Sequence, residues 1–66
     1  MNLIINTELR HIEGVEHIAA LPAALGLEPK MILIEHNGTA LLRTEWATTL
    51  LRDGDRIEIL HVSAGG

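Results

Sequence analysis

The chain has no cysteine among its 66 residues, so it can fold only by burying apolar side chains, without disulfide bonds. Trp46 is its one aromatic residue, while hydrophobic residues make up 47% of the chain. The core must therefore be aliphatic, and a disordered chain would be poorer in the Ile, Leu and Val that supply it. We predict a single small domain with no thiol for redox or nucleophilic chemistry.

The charge balance excludes some ligands. Nine acidic and five basic residues give a net charge of -4, which repels a nucleic-acid backbone. No segment approaches the roughly 18 apolar residues of a membrane span, and the N-terminus does not resemble a signal peptide. We expect a cytoplasmic protein that binds neither nucleic acid nor membrane, with an acidic surface that serves solubility or a basic protein partner.

Two hairpins are predicted. The segment MNLIIN and the returning LRHIEG form the first, over residues 1 to 13, with a turn at Asn6, Thr7 and Glu8. The apolar run MILIEH and the short TALL form the second around Asn37-Gly38, because both residues tolerate a positive φ. The domain therefore contains at least four strands.

One main helix is predicted between the hairpins, from Val15 onward. Its apolar positions recur at spacings of three and four residues, at Ile18, Leu21 and Leu25. Gly26 ends the helix. Pro22 cannot donate a hydrogen bond to the Ile18 carbonyl, so the helix is either kinked or properly begins at Pro22.

The remaining residues complete the fold. RTEWATTLL predicts a helical turn that is capped by Thr44 and lays Trp46 and Leu50 against the core. Asp53-Gly54-Asp55 predicts a turn, and residues 56–62 a last strand. Together these elements predict an α+β fold, with a mixed sheet of four to five strands and one main helix packed on one face.

The sequence offers little for catalysis. The four histidines, His11, His17, His36 and His61, lack the spacing of metal ligands. Asp53 and Asp55 could pair as acid–base carboxylates, but the turn around Gly54 explains them better. We predict no catalytic residue and no metal. A metal-dependent hydrolase built on these aspartates and a histidine is the alternative, and it predicts activity of the isolated domain.

The last strand predicts a docking surface. Ile57 and Ile59 point to one face, which the helix covers, and Leu60 and Val62 point to the other. Together with Ile4 of a neighbouring strand, these two residues would form an exposed apolar patch that docks a partner, unless the loop around Trp46 covers it.

The chain ends in Ser63-Ala64-Gly65-Gly66. We predict a domain over residues 1–62 and a flexible tail over residues 63–66, which reaches up to about 13 Å from the sheet. The two glycines would let the tail enter a narrow cleft of another protein. The terminal carboxylate is ionised at neutral pH, so it can attack an activated phosphate and form an acyl-adenylate in the partner's site.

The chain resembles the ThiS family, the ubiquitin-like, β-grasp sulfur carriers of thiamin biosynthesis. The resemblance covers the whole chain and lies in MNLIIN, IEHNG, RTEWA, LRDGDRIEILHV and the closing AGG. The DGD turn, strand and Gly-Gly also occur in the small subunit of molybdopterin synthase, whereas Arg43, Trp46 and Ala47 look more like the thiamin branch. The first hairpin departs from the family, reading NTE where a glycine is usual.

The resemblance implies a carrier and not an enzyme. Gly66 would be adenylated and converted to a thiocarboxylate that donates sulfur for the thiazole ring, and Ala64, Gly65 and Gly66 would be the segment that partner enzymes recognise. It implies three partners: an E1-like adenylating enzyme of the ThiF type, a thiazole synthase of the ThiG type and a sulfur-transfer protein. No cofactor binds the carrier itself, since ATP is used by the adenylating enzyme.

Related roles remain open. The sulfur could go to molybdopterin, tungstopterin or a tRNA base, or the protein could be a ubiquitin-like modifier joined to lysines through an isopeptide bond. The mass of the intact protein separates the last of these, because a carrier exchanges oxygen for sulfur at its own terminus while a modifier becomes attached to larger proteins.

Overall fold

A computed structural model describes residues 1–62. Its sheet has five strands in the order β2-β1-β5-β3-β4. The central strand β5 runs parallel to β1 and antiparallel to β3, so the sheet is mixed. The strands are β1 (Asn2–Ile5), β2 (Glu8–His11), β3 (Ile32–His36), β4 (Thr39–Ala40) and β5 (Arg56–His61).

Both predicted hairpins are confirmed. The β1–β2 turn consists of Asn6 and Thr7, with φ of 49° and 70°, and Glu8 already belongs to β2. The β3–β4 turn consists of Asn37 and Gly38, with φ of 49° and 87°. Positive φ at both central residues matches the turn to the twist of the paired strands, which is why an asparagine stands first in each.

The predicted helix is shorter than its apolar pattern. Residues Ile18–Ala20 form a 3₁₀ helix, and only Leu21–Ala24 form an α-helix, α1. Pro22 lies in the first turn of α1, where a missing N–H breaks no hydrogen bond of the helix. The prediction that the helix begins at Val15 is therefore wrong. The alternative, a helix that begins at Pro22, differs from the structure by one residue. Gly26 ends the helix as predicted, with φ of 71°.

The core lies between one face of the sheet and the segments that cross it. Ile18 and Leu21 are fully buried there, as is Ile57 at the centre of the sheet. The buried apolar residues are Leu3, Ile5, Val15, Ile18, Leu21, Ile32, Ile34, Trp46, Leu51, Ile57 and Ile59. The α+β architecture, a mixed sheet with one helix on one face, is confirmed.

The segment before β5 differs from its prediction. Arg43–Glu45 form a 3₁₀ helix in which Thr44 is not the cap; the Leu42 N–H instead donates to Glu45 Oε1 at 2.7 Å. Trp46 is buried as predicted. Leu50 is 53% exposed, because the chain leaves the helix and pairs with His17 as extended backbone.

Extended backbone alternates its side chains, so Leu51 fills the core in place of Leu50. A 3₁₀ helix and α1 thus take the place of the predicted main helix, and a 3₁₀ helix takes the place of the helical turn predicted around Trp46. A third 3₁₀ helix, Pro29–Met31, precedes β3. Within residues 1–62, no helix is long and apolar enough to cross a membrane.

Candidate functional site

The candidate site is the end of β5 and the surface around it. Ile57 and Ile59 face the core, and Glu58 and Leu60 face solvent, as the alternation predicts. β5 lies at the centre of the sheet, paired with β1 on one side and β3 on the other. Residues 63–66 follow directly, so Ala64, Gly65, Gly66 and the predicted boundary after residue 62 lie outside the described residues.

The beginning of β5 is fixed by the Asp53-Gly54-Asp55 turn. The Asn2 N–H donates to Asp53 Oδ1 at 2.6 Å, and the Gly54 N–H donates to the Asn2 carbonyl at 2.7 Å. Gly54 has a φ of 86°. These bonds tie the turn to β1 and give Asp53 a structural role.

Asp55 is held in a small polar network at the same end of the strand. Its Oδ2 accepts hydrogen bonds from His36 Nε2 at 2.7 Å and from the Arg52 N–H at 2.9 Å, and its Oδ1 accepts from Asn37 Nδ2 at 3.1 Å. Burial raises the pKa of Asp55, but these bonds outweigh it and the pKa is lowered overall. The carboxylate is therefore a structural acceptor.

The histidines take separate positions. His36 bonds to Asp55 at the end of β3, while His11 bonds to Asn2 Oδ1 at 2.9 Å and to the Glu13 carboxylate. The pKa of Glu13 is lowered, chiefly by its hydrogen bond to His11. Residues 1–62 contain no group of three His, Cys, Asp or Glu side chains that could hold a metal ion.

The three residues of the predicted docking surface do not lie together. Leu60 is paired across the strands with Leu33, and both are about half exposed, while Ile4 is paired with Leu9 and Arg56. Arg56 and Leu60 are four positions apart in β5, or about 13 Å at ~3.3 Å per residue.

Val62 lies on the Leu60 side and is 39% exposed. The face of the sheet opposite the core therefore carries two apolar groups, one around Leu60 and one around Ile4. We call Leu33, Leu60 and Val62 the exit patch. That it docks a partner stays a prediction.

The exit patch is bordered by acidic residues. Glu35 and Glu58 form the next cross-strand pair along β3 and β5, on the same face as Leu33 and Leu60. Like charges directly opposite each other are unfavourable in a sheet. The sequence shows both residues, but only the register shows that they meet.

The sequence predicts Asn6 as a turn residue but does not predict its contact with β5. The Asn6 side chain bonds to the backbone of Ile59, and the Val62 N–H donates to the Met31 carbonyl at 2.8 Å on the opposite edge of the strand. The chain is thus held at Ile59 from the β1 side and at Val62 from the β3 side. The local signal is an asparagine at a turn, but its partner lies 53 residues away.

Comparison with known proteins assigns the fold and the carrier class. The model of the ThiS family matches residues 3–66. The chain belongs to the ThiS family. Membership places the protein among the ubiquitin-like sulfur carriers of thiamine biosynthesis and confirms the resemblance seen in the sequence.

Solved structures agree with this family. The crystal structure of the thiamine biosynthesis protein ThiS from Geobacter metallireducens is 32% identical, covers all of both chains and superposes with a TM-score of 0.84. Its NMR solution structure gives a TM-score of 0.81 over all of this chain and 88% of that one. The β-grasp fold of the ThiS family is therefore confirmed.

A longer relative contains a segment similar to this chain. A thiazole synthase from Paramagnetospirillum magneticum is 30% identical over 66 residues. This match includes the whole of the present chain but spans only 20% of the relative. A sequence like this carrier thus forms about a fifth of a protein named for thiazole synthesis.

Proposed function

We propose that the protein carries sulfur as a thiocarboxylate on Gly66 and donates it for the thiazole ring of thiamine. The observation that carries this proposal is the match to the ThiS family, which extends through the terminal Gly65-Gly66. The position of β5 supports it, because the tail follows directly from the central strand of the sheet.

The chemistry takes place in two steps. A Gly66 carboxylate oxygen attacks the α-phosphorus of ATP, so that pyrophosphate leaves and a carboxyl-adenylate forms. Hydrosulfide then attacks the acyl carbon, AMP leaves with the former carboxylate oxygen, and the thiocarboxylate remains. Because the chain has no cysteine, the adenylating enzyme and a sulfur-transfer protein supply the other reacting groups.

The proposed partners are the E1-like adenylating enzyme, the sulfur-transfer protein and a thiazole synthase. The relative from Paramagnetospirillum magneticum supports the last, since a segment similar to this chain occurs within a thiazole synthase. The carrier would present its tail to each partner in turn.

The exit patch is the proposed docking surface. Leu33, Leu60 and Val62 are exposed beside the point at which the tail begins, so a partner that covers them is placed to receive residues 63–66. Glu35 and Glu58 at its border favour a partner surface with basic side chains. Ile4, predicted as part of the same surface, would make a separate contact beside Leu9.

The test is adenylation followed by mass measurement. The protein is incubated with the candidate adenylating enzyme, ATP and a sulfide donor, and its intact mass is recorded. We expect a gain equal to the mass difference between sulfur and oxygen. Deletion of Gly66 abolishes the gain and the release of pyrophosphate, while the matched control Ala24→Ser, on the exposed side of α1, retains both.

Three outcomes would contradict the proposal. Adenylation that survives deletion of Gly66 would place the reactive carboxylate elsewhere. Attachment to larger proteins would indicate a ubiquitin-like modifier. A thiocarboxylate that a thiazole synthase does not consume, but that a molybdopterin, tungstopterin or tRNA pathway does, would change the acceptor.

A further inference from the structure

The far half of β5 lacks a backbone partner on one side. β1 pairs with β5 only through Ile4 with Arg56 and Ile5 with Ile57. The Asn6 N–H still donates to the Ile57 carbonyl at 2.9 Å, and then the chain turns away into β2. From Glu58 onward, β5 would be held by β3 alone.

The Asn6 side chain takes the place of the missing strand. Its Oδ1 accepts a hydrogen bond from the Ile59 N–H at 2.7 Å, and its Nδ2 donates to the Ile59 carbonyl at 3.2 Å. One carboxamide thus binds both polar groups of one residue, which a continued β1 would otherwise have paired. The contact is partly buried, which shields it from competing water.

We propose that Asn6 is a positioning residue that fixes the last part of β5, the strand that leads into the tail. Ile59 is four positions before Ser63, and Val62 is bonded to Met31 on the other side of the strand. These contacts hold the strand as far as Ile59 on the β1 side and as far as Val62 on the β3 side. This inference rests on the proposed function, in which another protein's cleft receives residues 63–66.

A fixed exit lowers the cost of binding. A tail that starts from a loose strand end must be ordered when the enzyme takes it in, and that ordering subtracts from affinity. Loss of the Asn6 contacts therefore weakens capture of the carrier without altering the carboxylate that reacts. The expected effect is on KM and not on kcat.

The second hairpin offers a matched control. Asn37 has the same φ of 49°, and its Oδ1 accepts the Arg56 N–H at 2.8 Å. The two turn asparagines thus bind the same strand at opposite ends, Asn37 at its beginning and Asn6 near its exit. Asn6→Gly and Asn37→Gly both place at the turn a residue that tolerates positive φ. Each also removes one side chain that bonds to the backbone of β5.

The experiment combines amide hydrogen exchange with the kinetics of adenylation. For Asn6→Gly we expect faster exchange at the Ile59 amide and a KM for the carrier raised roughly two- to tenfold, with kcat unchanged, in line with the loss of one or two net hydrogen bonds. For Asn37→Gly we expect faster exchange near Arg56 and an unaltered KM. Unfolding in urea shows that both variants are folded.

Asn6→Asp is a second test at the same position. It keeps an acceptor for the Ile59 N–H but places a carboxylate oxygen opposite the Ile59 carbonyl oxygen. We therefore expect Asn6→Asp to raise the KM above the native value, as Asn6→Gly does. Equal KM values for native protein, Asn6→Gly and Asn37→Gly would overturn the inference, as would an Ile59 amide that exchanges at the native rate in Asn6→Gly. Failure of the native protein to be adenylated would instead overturn the proposed function, and the exchange rate of Ile59 would still test the hold of Asn6 on the strand.

Discussion

His36 Nε2 donates to Asp55 Oδ2 at 2.7 Å and joins the last residue of β3 to the residue that precedes β5. Both side chains are largely buried, with 18% and 12% of their surface exposed. The pair lies at the start of β5. The Asp55 carboxylate also accepts hydrogen bonds from the Arg52 N–H and from Asn37 Nδ2. A single carboxylate therefore binds three groups at the start of the central strand.

Replacement of Asp55 by asparagine tests this network. A carboxamide has one acceptor oxygen, so one of the donors that now face Asp55 would meet an NH₂ group instead. We expect Asp55→Asn to lower the free energy of unfolding by about 1–3 kcal/mol in urea titrations. The matched variant Asp53→Asn keeps the single acceptor used by the Asn2 N–H, so its change should stay within about 0.5 kcal/mol. Equal losses in the two variants would contradict the network.

The lowered pKa of Asp55 also predicts a pH dependence. Because the folded protein binds this proton less tightly than the unfolded chain does, the contribution of Asp55 to stability is complete above the unfolded pKa of about 3.9. It is lost as the pH falls through the lower pKa of the folded state. We expect the stability difference between native protein and Asp55→Asn to shrink when urea unfolding is repeated between about pH 5 and pH 2. A difference that stays constant or grows would contradict this.

The exit patch predicts a surface variant that affects binding alone. Leu60 is 50% exposed, so Leu60→Ser should leave the free energy of unfolding nearly unchanged while raising the KM for adenylation roughly three- to tenfold. Leu50→Ser is the control, since Leu50 is similarly exposed at 53% but lies outside the sheet, in the segment paired with His17. The same KM in both variants would show that the exit patch is not the docking surface.

The sequence predicted the parts of the fold that depend on neighbouring residues. Asn37-Gly38 defines a hairpin turn by itself, and the alternation of Ile57 and Ile59 with exposed residues identifies both the strand and its buried face. The terminal carboxylate by itself predicted an acyl-adenylate, and the family resemblance added the thiocarboxylate and the thiazole ring as its acceptor. These predictions needed no knowledge of distant contacts.

The errors and omissions have a common physical origin. The pattern around Pro22 fits a helix, but the missing N–H divides it into a 3₁₀ and an α segment. The exposure of Leu50 follows from its pairing with His17, which is distant in sequence. The contacts of Asp55 and Asn6 join residues 19 and 53 positions apart, so the sheet register had to be known first.

The acidic pair on the open face predicts a stabilising substitution. Glu35 and Glu58 are directly opposite each other, so Glu58→Gln removes a like-charge repulsion and should raise the free energy of unfolding by about 0.2–1 kcal/mol. The gain should diminish in high salt, which screens exposed charges. Glu8→Gln, opposite the apolar Ile5, is the control and should show no such gain. If Glu8→Gln raised the free energy of unfolding by the same amount, the gain would come from the smaller net charge and not from the Glu35–Glu58 pair.

The first hairpin predicts a second stabilising change. Thr7 is β-branched and has a φ of 70°, a left-handed conformation that costs a residue with a Cβ about 1–2 kcal/mol. In Thr7→Gly this strain is removed, but the unfolded chain gains conformational freedom. We therefore expect a net increase in the free energy of unfolding of about 0.5–1 kcal/mol, measured in urea by Trp46 fluorescence.

The reverse change at the equivalent position of the other hairpin serves as control. Gly38 has a φ of 87°, and a Cβ built there meets no atom within 4 Å, so Gly38→Thr introduces backbone strain without a steric clash. It should lower the free energy of unfolding by about 1–2 kcal/mol. Because the two substitutions exchange the same pair of residue types between equivalent turn positions, their effects should have opposite signs. A Thr7→Gly variant no more stable than the native protein, beside a destabilised Gly38→Thr, would mean that contacts of the Thr7 side chain compensate for the strain in the first turn.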